Sequence, residues 1–238
     1  MYLYTKRNMK NILYSNFYKF FNFISNLVFP VMCILCKKDG VYLCGECENK
    51  LELSKDKINA WIYSKYKYKN KKLKKIEYAI KYNHHPELGV TLGEHSFEII
   101  FNNIISKIKI EDKTQDIFLV PIPISKERLK QRGYNQTKYI ADGILKRSKN
   151  KMNTKIKIVT ILSRKETSKL KDIFGIENRL EEMRCTMSVR DDFKINRNSI
   201  FILIDDITTT GATFYEARRA LVEYGIIEKN IYAYSLAH

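Results

Sequence analysis

From about residue 76 onward, short apolar runs alternate with segments of helical spacing. The runs "DIFLVPIPI" (116–124), "IKIVTIL" (156–162), "SIFILID" (199–205) and "NIYAYSLA" (230–237) are bounded by polar or turn residues and predict buried strands. Between them, 135–147 and 211–224 place their apolar residues three and four apart, which predicts helices. Such alternation argues for an α/β fold with a parallel sheet covered on both faces. At the other end of the chain, Ile12, Leu13, Phe17, Phe20, Phe21, Ile24, Leu27 and Val28 form one face of an amphipathic helix that Pro30 ends. That helix either packs on the rest of the protein or meets a membrane surface or partner. Lys19 and several Asn interrupt it and no small-residue cleavage site follows, so it does not read as a signal peptide. No apolar run reaches the ~20 residues a membrane span needs. The expected location is cytoplasmic, with no membrane span.

A chain of 238 residues with 45% apolar side chains can bury one substantial core and a small satellite module. The formal charge of +17 points to an anionic partner. Lysines outnumber arginines 32 to 11, however, and Asn and Ile are abundant, so an AT-rich coding sequence would give the same bias. Position is more informative than the total, because residues 1–75 carry a net +11 and the remainder only +6. Any electrostatic footprint for nucleic acid therefore lies at the front. There, "WIYSKYKYKNKKLKK" interleaves Tyr63, Tyr66 and Tyr68 with lysines. It reads either as a stacking platform for single-stranded nucleic acid or as an exposed strand and linker.

Four of the five cysteines fall within fifteen residues, "CILCKKDGVYLCGEC". Cys33, Cys36, Cys44 and Cys47 make two knuckles that aim four thiolates at one point, the geometry of tetrahedral zinc. Asp39 and Gly40 supply the turn between them. Four sulfurs leave no open coordination position, so the metal is expected to be structural. A secreted disulfide scaffold would spread its cysteines differently.

The strongest chemical signal is "ILIDDITTTGATF" (202–214). Asp205 and Asp206 emerge at the carboxyl end of a strand, where open α/β sheets bind ligands. Thr208, Thr209, Thr210, Gly211, Ala212 and Thr213 then form a turn into a helix whose unpaired N–H groups suit a phosphate. The lysine and second glycine of a P-loop are missing, so a monophosphate fits better. Two acids beside a phosphate repel it unless something between them donates hydrogen bonds. A ribose 5-phosphate does so, with its diol on the acids and its ester in the loop, each charge-assisted bond contributing about 1.5–3 kcal/mol. After the 116–124 strand, Arg128 and Arg132 stand where forked donors suit a diphosphate, or are surface arginines on a solvated helix. His84 and His85 read as surface turn residues, and Asp191-Asp192 as a turn.

The 202–214 string resembles the phosphoribosyl-pyrophosphate (PRPP) signature of the type I phosphoribosyltransferases. The wider chain is similar to one branch of them, the ComF family, named for a role in DNA uptake during natural transformation. The resemblance also rests on the four-cysteine module, "AIKYNHHPELGVTLGE" (79–94) and "VPIPISKERLKQRGYNQTKYIA" (120–141). It implies a twisted parallel sheet of the phosphoribosyltransferase kind, preceded by a small helix and a zinc ribbon. The expected division is a helix over 1–31, a zinc ribbon over 32–62, a basic linker over 63–75 and the transferase-like domain over 76–238.

The resemblance further implies that Asp205 and Asp206 are catalytic and hold the ribose diol, and that Thr208 to Thr213 hold the 5-phosphate. Arg128, Arg132 and Arg164 would meet the diphosphate, and Mg²⁺ would accompany PRPP. The implied reaction is displacement of pyrophosphate by a nitrogen nucleophile. "LSRKETSKLKD" (162–172) occupies the place of the loop that covers the active site, and Arg164 and Thr167 agree with the family there. Lys169, Leu170, Glu181 and Glu182 depart from it, which puts the acceptor side in question. Thr209 stands where 6-oxopurine transferases have an acid, which speaks against those substrates. The competing reading is a non-catalytic adaptor for single-stranded DNA or for competence and recombination proteins.

Overall fold

A computed structural model describes residues 30–54, 58–83, 85–107, 116–149, 151, 156–165, 186–190, 196 and 198–238. The expected N-terminal helix, His84, Thr167 and the loop beyond residue 165, the acids Glu181 and Glu182, and Asp191-Asp192 lie outside the described residues.

The apolar runs supply four parallel strands: β2 (Ile117–Pro121), β3 (Ile156–Ile158), β6 (Ile200–Ile207) and β7 (Ile231–Ala237). A fifth, β1 (Ile62–Tyr66), pairs in parallel with β7, giving the order β1-β7-β6-β2-β3. The helices are α1 (Gly45–Glu48), α2 (Lys71–Tyr82), α3 (Pro86–Asn103), α4 (Lys126–Arg132), α5 (Gln136–Lys149) and α6 (Ala212–Glu223). Helices α2, α3 and α5 bury their apolar stripes with Ile202, Ile204 and Tyr234. Phe214, Ala217 and Leu221 of α6 pack with Phe201 and Leu203 instead. Alternate residues of β6 thus face opposite layers, as a doubly covered parallel sheet requires. This α/β architecture is consistent with the type I phosphoribosyltransferase fold.

Strand order reverses between β2 and β6, since the chain runs outward from β2 to β3 on one side and from β6 to β7 on the other. Such a switch point opens a crevice at the carboxyl ends of the strands. Here β6 also outruns β2. Their last paired residues are Pro121 and Ile204, while β6 stays paired to β7 as far as Ile207 and Ala237. Asp205 and Asp206 are therefore held on one flank only. Glycines let α3 and α5 touch beneath this edge: a Cβ on Gly143 would lie 2.0 Å from Val90 O, and one on Gly93 2.1 Å from Ile140 O.

Two expectations need correction. The run 156–162 is not one strand: β3 ends at Ile158, and β4 (Leu162–Arg164) leaves the sheet to pair antiparallel with β5 (Met187–Val189). Apolar side chains continue across the break because Ile161 and Leu162 enter the α6 layer. Glu216 and Arg219 of α6 hold this small sheet in place, Glu216 Oε1 accepting from Met187 N at 3.0 Å and Arg219 donating to Met187 O at 2.9 Å. Second, the segment read as a basic linker is built into the body, with β1 in the sheet and α2 starting at Lys71.

The stretch around β1 does not present a row of stacking tyrosines. Tyr66 is buried and donates to Glu48, Tyr63 is half-buried and donates to Ala60 O, and Lys74 lies over the half-buried Tyr68 ring. Residues 52–54 bond to the outer side of β1 through Ser54 N to Lys65 O and Lys67 N to Glu52 O. An edge strand so covered is closed to a further chain. No helix among the described residues is long and apolar enough to cross a membrane.

Candidate functional site

The acids at the end of β6 sit deep, each with 8% of its surface exposed. The pleat sends Asp205 toward the α6 layer and Asp206 toward the α2–α5 layer. Backbone N–H groups hold both carboxylates: Asp205 Oδ1 accepts from Asp206 N and Asp206 Oδ1 from Ile207 N, each at 2.9 Å. On its other oxygen, Asp206 Oδ2, two further donors converge. Lys81 Nζ of α2 and Gln136 Nε2 of α5 each lie 3.3 Å away.

Both partners are placed by local structure. Asn135 caps α5, its side chain accepting from Thr137 N and donating to Ile122 O just past β2, and this plants Gln136 on the first turn beside Asp206. Lys81 stands one turn after Glu77 on α2, and its ammonium also meets Glu77 Oε1. Neither Lys81 nor Gln136 was singled out by spacing, though both lie inside the two motifs quoted for the resemblance. Nothing local marks them. Buried Gln136 leaves its Oε1 without a donor among the described residues, an acceptor available to a hydroxyl.

Burial shapes the charges. It pushes the pKa of Asp205 well above the ordinary carboxylate value, and the neighbouring Asp206 carboxylate raises it further. Burial alone would lower the pKa of Lys81, but the carboxylates of Asp206 and Glu77 outweigh it and hold the ammonium charged.

The threonine turn follows at once. Gly211 takes φ +77°, and a Cβ there would lie 3.1 Å from Ile62 Cδ1, so a side chain is resisted by both backbone and space. Two N–H groups of the turn are already donated within it, Gly211 to Thr208 Oγ1 at 3.1 Å and Ala212 to Thr210 Oγ1 at 3.3 Å. Thr209 and Thr210 are exposed, Thr208 is buried and Thr213 half-buried on the first turn of α6. A phosphate here would meet hydroxyls and the N-terminal end of a twelve-residue helix.

The arginines divide. Arg132 is buried at the end of α4 with its guanidinium 5.6 Å from the centre of the Tyr82 ring. Arg128 is exposed on α4, and Arg164 is half-buried on β4. The acids do not make a divalent-cation cage, because Asp206 is already engaged by an ammonium, an amide and an N–H, and Asp205 resists ionisation. Mg²⁺ does not fit as a direct ligand of this pair.

At the cysteine module the donor set does fit a metal. The four Sγ atoms lie within 4.8 Å of one another, against about 3.8 Å for a tetrahedron of 2.3 Å Zn–S bonds. Lys37 (φ +68°) and Gly40 (φ +84°) turn the chain between knuckles, and Cys44 N points at Cys33 Sγ at 3.5 Å. Burial would raise the pKa of Cys33, but the N–H groups of Cys36, Cys44 and Leu35 lower it; burial and the surrounding sulfurs raise that of Cys47. Without a cation the four thiolates cannot coexist.

Next to Cys47, Glu48 fastens the module to the body. Its Oε1 accepts from Lys65 Nζ at 2.6 Å and Tyr66 OH at 2.7 Å, and its Oε2 lies 2.8 Å from His95 Nδ1. Burial would raise its pKa; these donors outweigh that and push it down to about 2. Cys33, Leu43, Cys44, Cys47 and Leu51 share one apolar cluster with α2 and α3.

No protein-family model matches the chain. Competence protein ComFC of Bacillus subtilis (strain 168) is 34% identical over 131 residues, spanning 55% of this chain and 48% of ComFC. The chain is a distant homologue of ComFC. The match thus spans about half the length of that relative.

Metal analysis is expected to find about one zinc ion per chain. Cys33→Ser should lose it and speed hydrogen exchange along β1; full zinc occupancy in that variant would contradict the assignment. The raised pKa of Asp205 sets the sign of a second expectation. An acid that binds its proton more tightly when folded costs stability as pH rises above its ordinary value of 3.8. Asp205→Asn is therefore expected to raise Tm at pH 7, by about 2–4 °C per kcal/mol relieved. The gain should fade as pH falls below 3.8.

Proposed function

We propose that the chain is a ComFC-like competence protein whose sheet edge binds PRPP or another ribose 5-phosphate. The single observation behind this is the register at the switch point. Asp205 and Asp206 extend past the end of β2 on a strand still held by β7, and the threonine turn follows immediately into α6. Diol and phosphate would be gripped by neighbouring parts of one strand–turn–helix unit.

The reading extends to transfer of the phosphoribosyl group to a nitrogen nucleophile with loss of pyrophosphate. Asp206 would stabilise the positive charge that develops on the sugar ring as the leaving group departs. Lys81 and Gln136 fix its carboxylate, so little reorganisation is needed at that moment. Asp205 would bond the neighbouring hydroxyl of the diol. Gln136 Oε1 would take a hydroxyl. Mg²⁺, when present, would arrive on the diphosphate and neutralise part of its charge.

Calorimetric titration of PRPP with Mg²⁺ tests this. Wild type should bind, and Asp206→Asn should bind at least about tenfold more weakly, the loss of one charge-assisted contact. Absence of heat in both would remove the sugar-phosphate reading.

A second reading, an adaptor for single-stranded DNA, draws on one observation. Helix α2 exposes Lys71, Lys72, Lys74 and Lys75 in line with Tyr78 and Tyr82, which are 60% and 55% exposed with ring centres 5.0 Å apart. Cationic contacts with aromatic stacking suit a strand without sequence preference. Affinity for oligothymidine should fall steeply with salt, and replacing the four lysines by Gln should flatten that dependence. An unchanged slope would rule out this face.

A further inference from the structure

The four sulfurs of the cysteine module are not equally placed. Cys33, Cys44 and Cys47 are buried in the apolar cluster that the module shares with α2 and α3, while Cys36 is exposed. The knuckle itself sets the difference. Cys33 N donates to Lys38 O at 2.8 Å and Lys37 N to Cys33 O at 2.9 Å, so the chain folds back tightly over Cys33. The left-handed turn at Lys37 (φ +68°) leaves Cys36 on the outer bend, next to the exposed Lys37 and Lys38. Cys33 is further engaged by Cys44 N, 3.5 Å from its sulfur. Cys36 Sγ lies 3.5 Å from Cys44 Sγ, a sulfur of the other knuckle.

A sulfur that binds zinc is a thiolate at neutral pH, so access and competing hydrogen bonds decide which of the four meets an electrophile. Its fate then depends on whether a second thiol stands beside it. We propose that Cys36 is the oxidation site of the module, open to peroxide-type oxidants, and that Cys44 resolves it as a disulfide across the two knuckles. The Cys36 thiolate attacks one oxygen of the peroxide, the O–O bond breaks, hydroxide leaves and the sulfur becomes a sulfenic acid. The Cys44 thiolate then displaces hydroxide from that sulfur and the S–S bond forms. Two electrons pass from the pair of thiolates to the peroxide, and both hydroxides take up protons to leave as water. Cys33 and Cys47 alone cannot complete a tetrahedron, so a zinc ion would be released with its charge unchanged. Only that release rests on the metal reading; the order in which the sulfurs react does not. The change reaches the sheet edge, because Glu48 of the same module is bonded to Lys65 and Tyr66 of β1.

The test uses the full chain in a Cys185→Ser background, so that the fifth cysteine takes no part. Hydrogen peroxide is added, zinc release is followed with a chromogenic chelator, and the disulfides are mapped by mass spectrometry of peptides. The main product should be Cys36–Cys44, reversed by dithiothreitol. Cys36→His keeps a zinc-binding set of three sulfurs and one imidazole and should release zinc about tenfold more slowly or slower still. Release as fast as in wild type would overturn the role of Cys36, and a dominant Cys33–Cys36 bond would overturn the pairing across the knuckles. If Cys36→His does not hold zinc, labelling of the parent chain with substoichiometric iodoacetamide ranks the sulfurs instead. Cys36 should be labelled first, and a buried cysteine labelled first would overturn the proposal. A chain isolated without zinc would remove the metal reading, and the same ranking would still decide the role of Cys36.

Discussion

Two adjacent carboxylates at the end of a buried strand repel each other and lose hydration, so the fold must offset both costs or keep one acid protonated. Burial and the neighbouring charge raise the pKa of Asp205, while Lys81 and Gln136 converge on Asp206 from two different helices. Much of the local structure follows from that need. Asn135 anchors α5 to the carbonyl beyond β2, and Glu77 keeps Lys81 charged from one turn back along α2. The burial that raises the pKa of Asp205 costs stability as pH rises.

The cysteine module solves a different problem with related means. An edge strand exposes backbone groups that invite another chain, and β1 is such a strand. The module lies against it, bonds to its outer side and joins its apolar cluster. Glu48 stands next to Cys47 and is met by side chains of β1 and α3. A metal held there would stabilise the sheet edge as well as the knuckles, because the two share one core.

The basic front of the chain is distributed by the fold. Lys65 is drawn inward to a carboxylate, and Tyr66 is buried beside it. The lysines of α2 stay in water next to two exposed tyrosines. Charge that looked like one continuous stretch is thus divided between a structural latch and a solvent-facing helix. The same helix carries Lys81 on its inner side, so α2 serves the crevice with one face and the solvent with another.

What the sequence determined by itself is whatever depends on neighbours in the chain. Apolar runs marked the strands, the two-by-two spacing of four cysteines marked a cluster of four sulfurs, and "DDITTTGAT" joined two acids to a glycine turn at a strand end. Period and spacing are local quantities, and they survive in any fold the chain can adopt. Other features were decided only by long-range pairing. Residues 156–162 bend away because β2 can partner only the first part of the run, and 62–66 enter the sheet because β7 offers a free edge. Asp206 meets Lys81 and Gln136, 125 and 70 positions away, because two helices of one layer close over one strand end. No local pattern encodes that meeting. It exists only once hydrophobic burial has brought α2, α5 and β6 together.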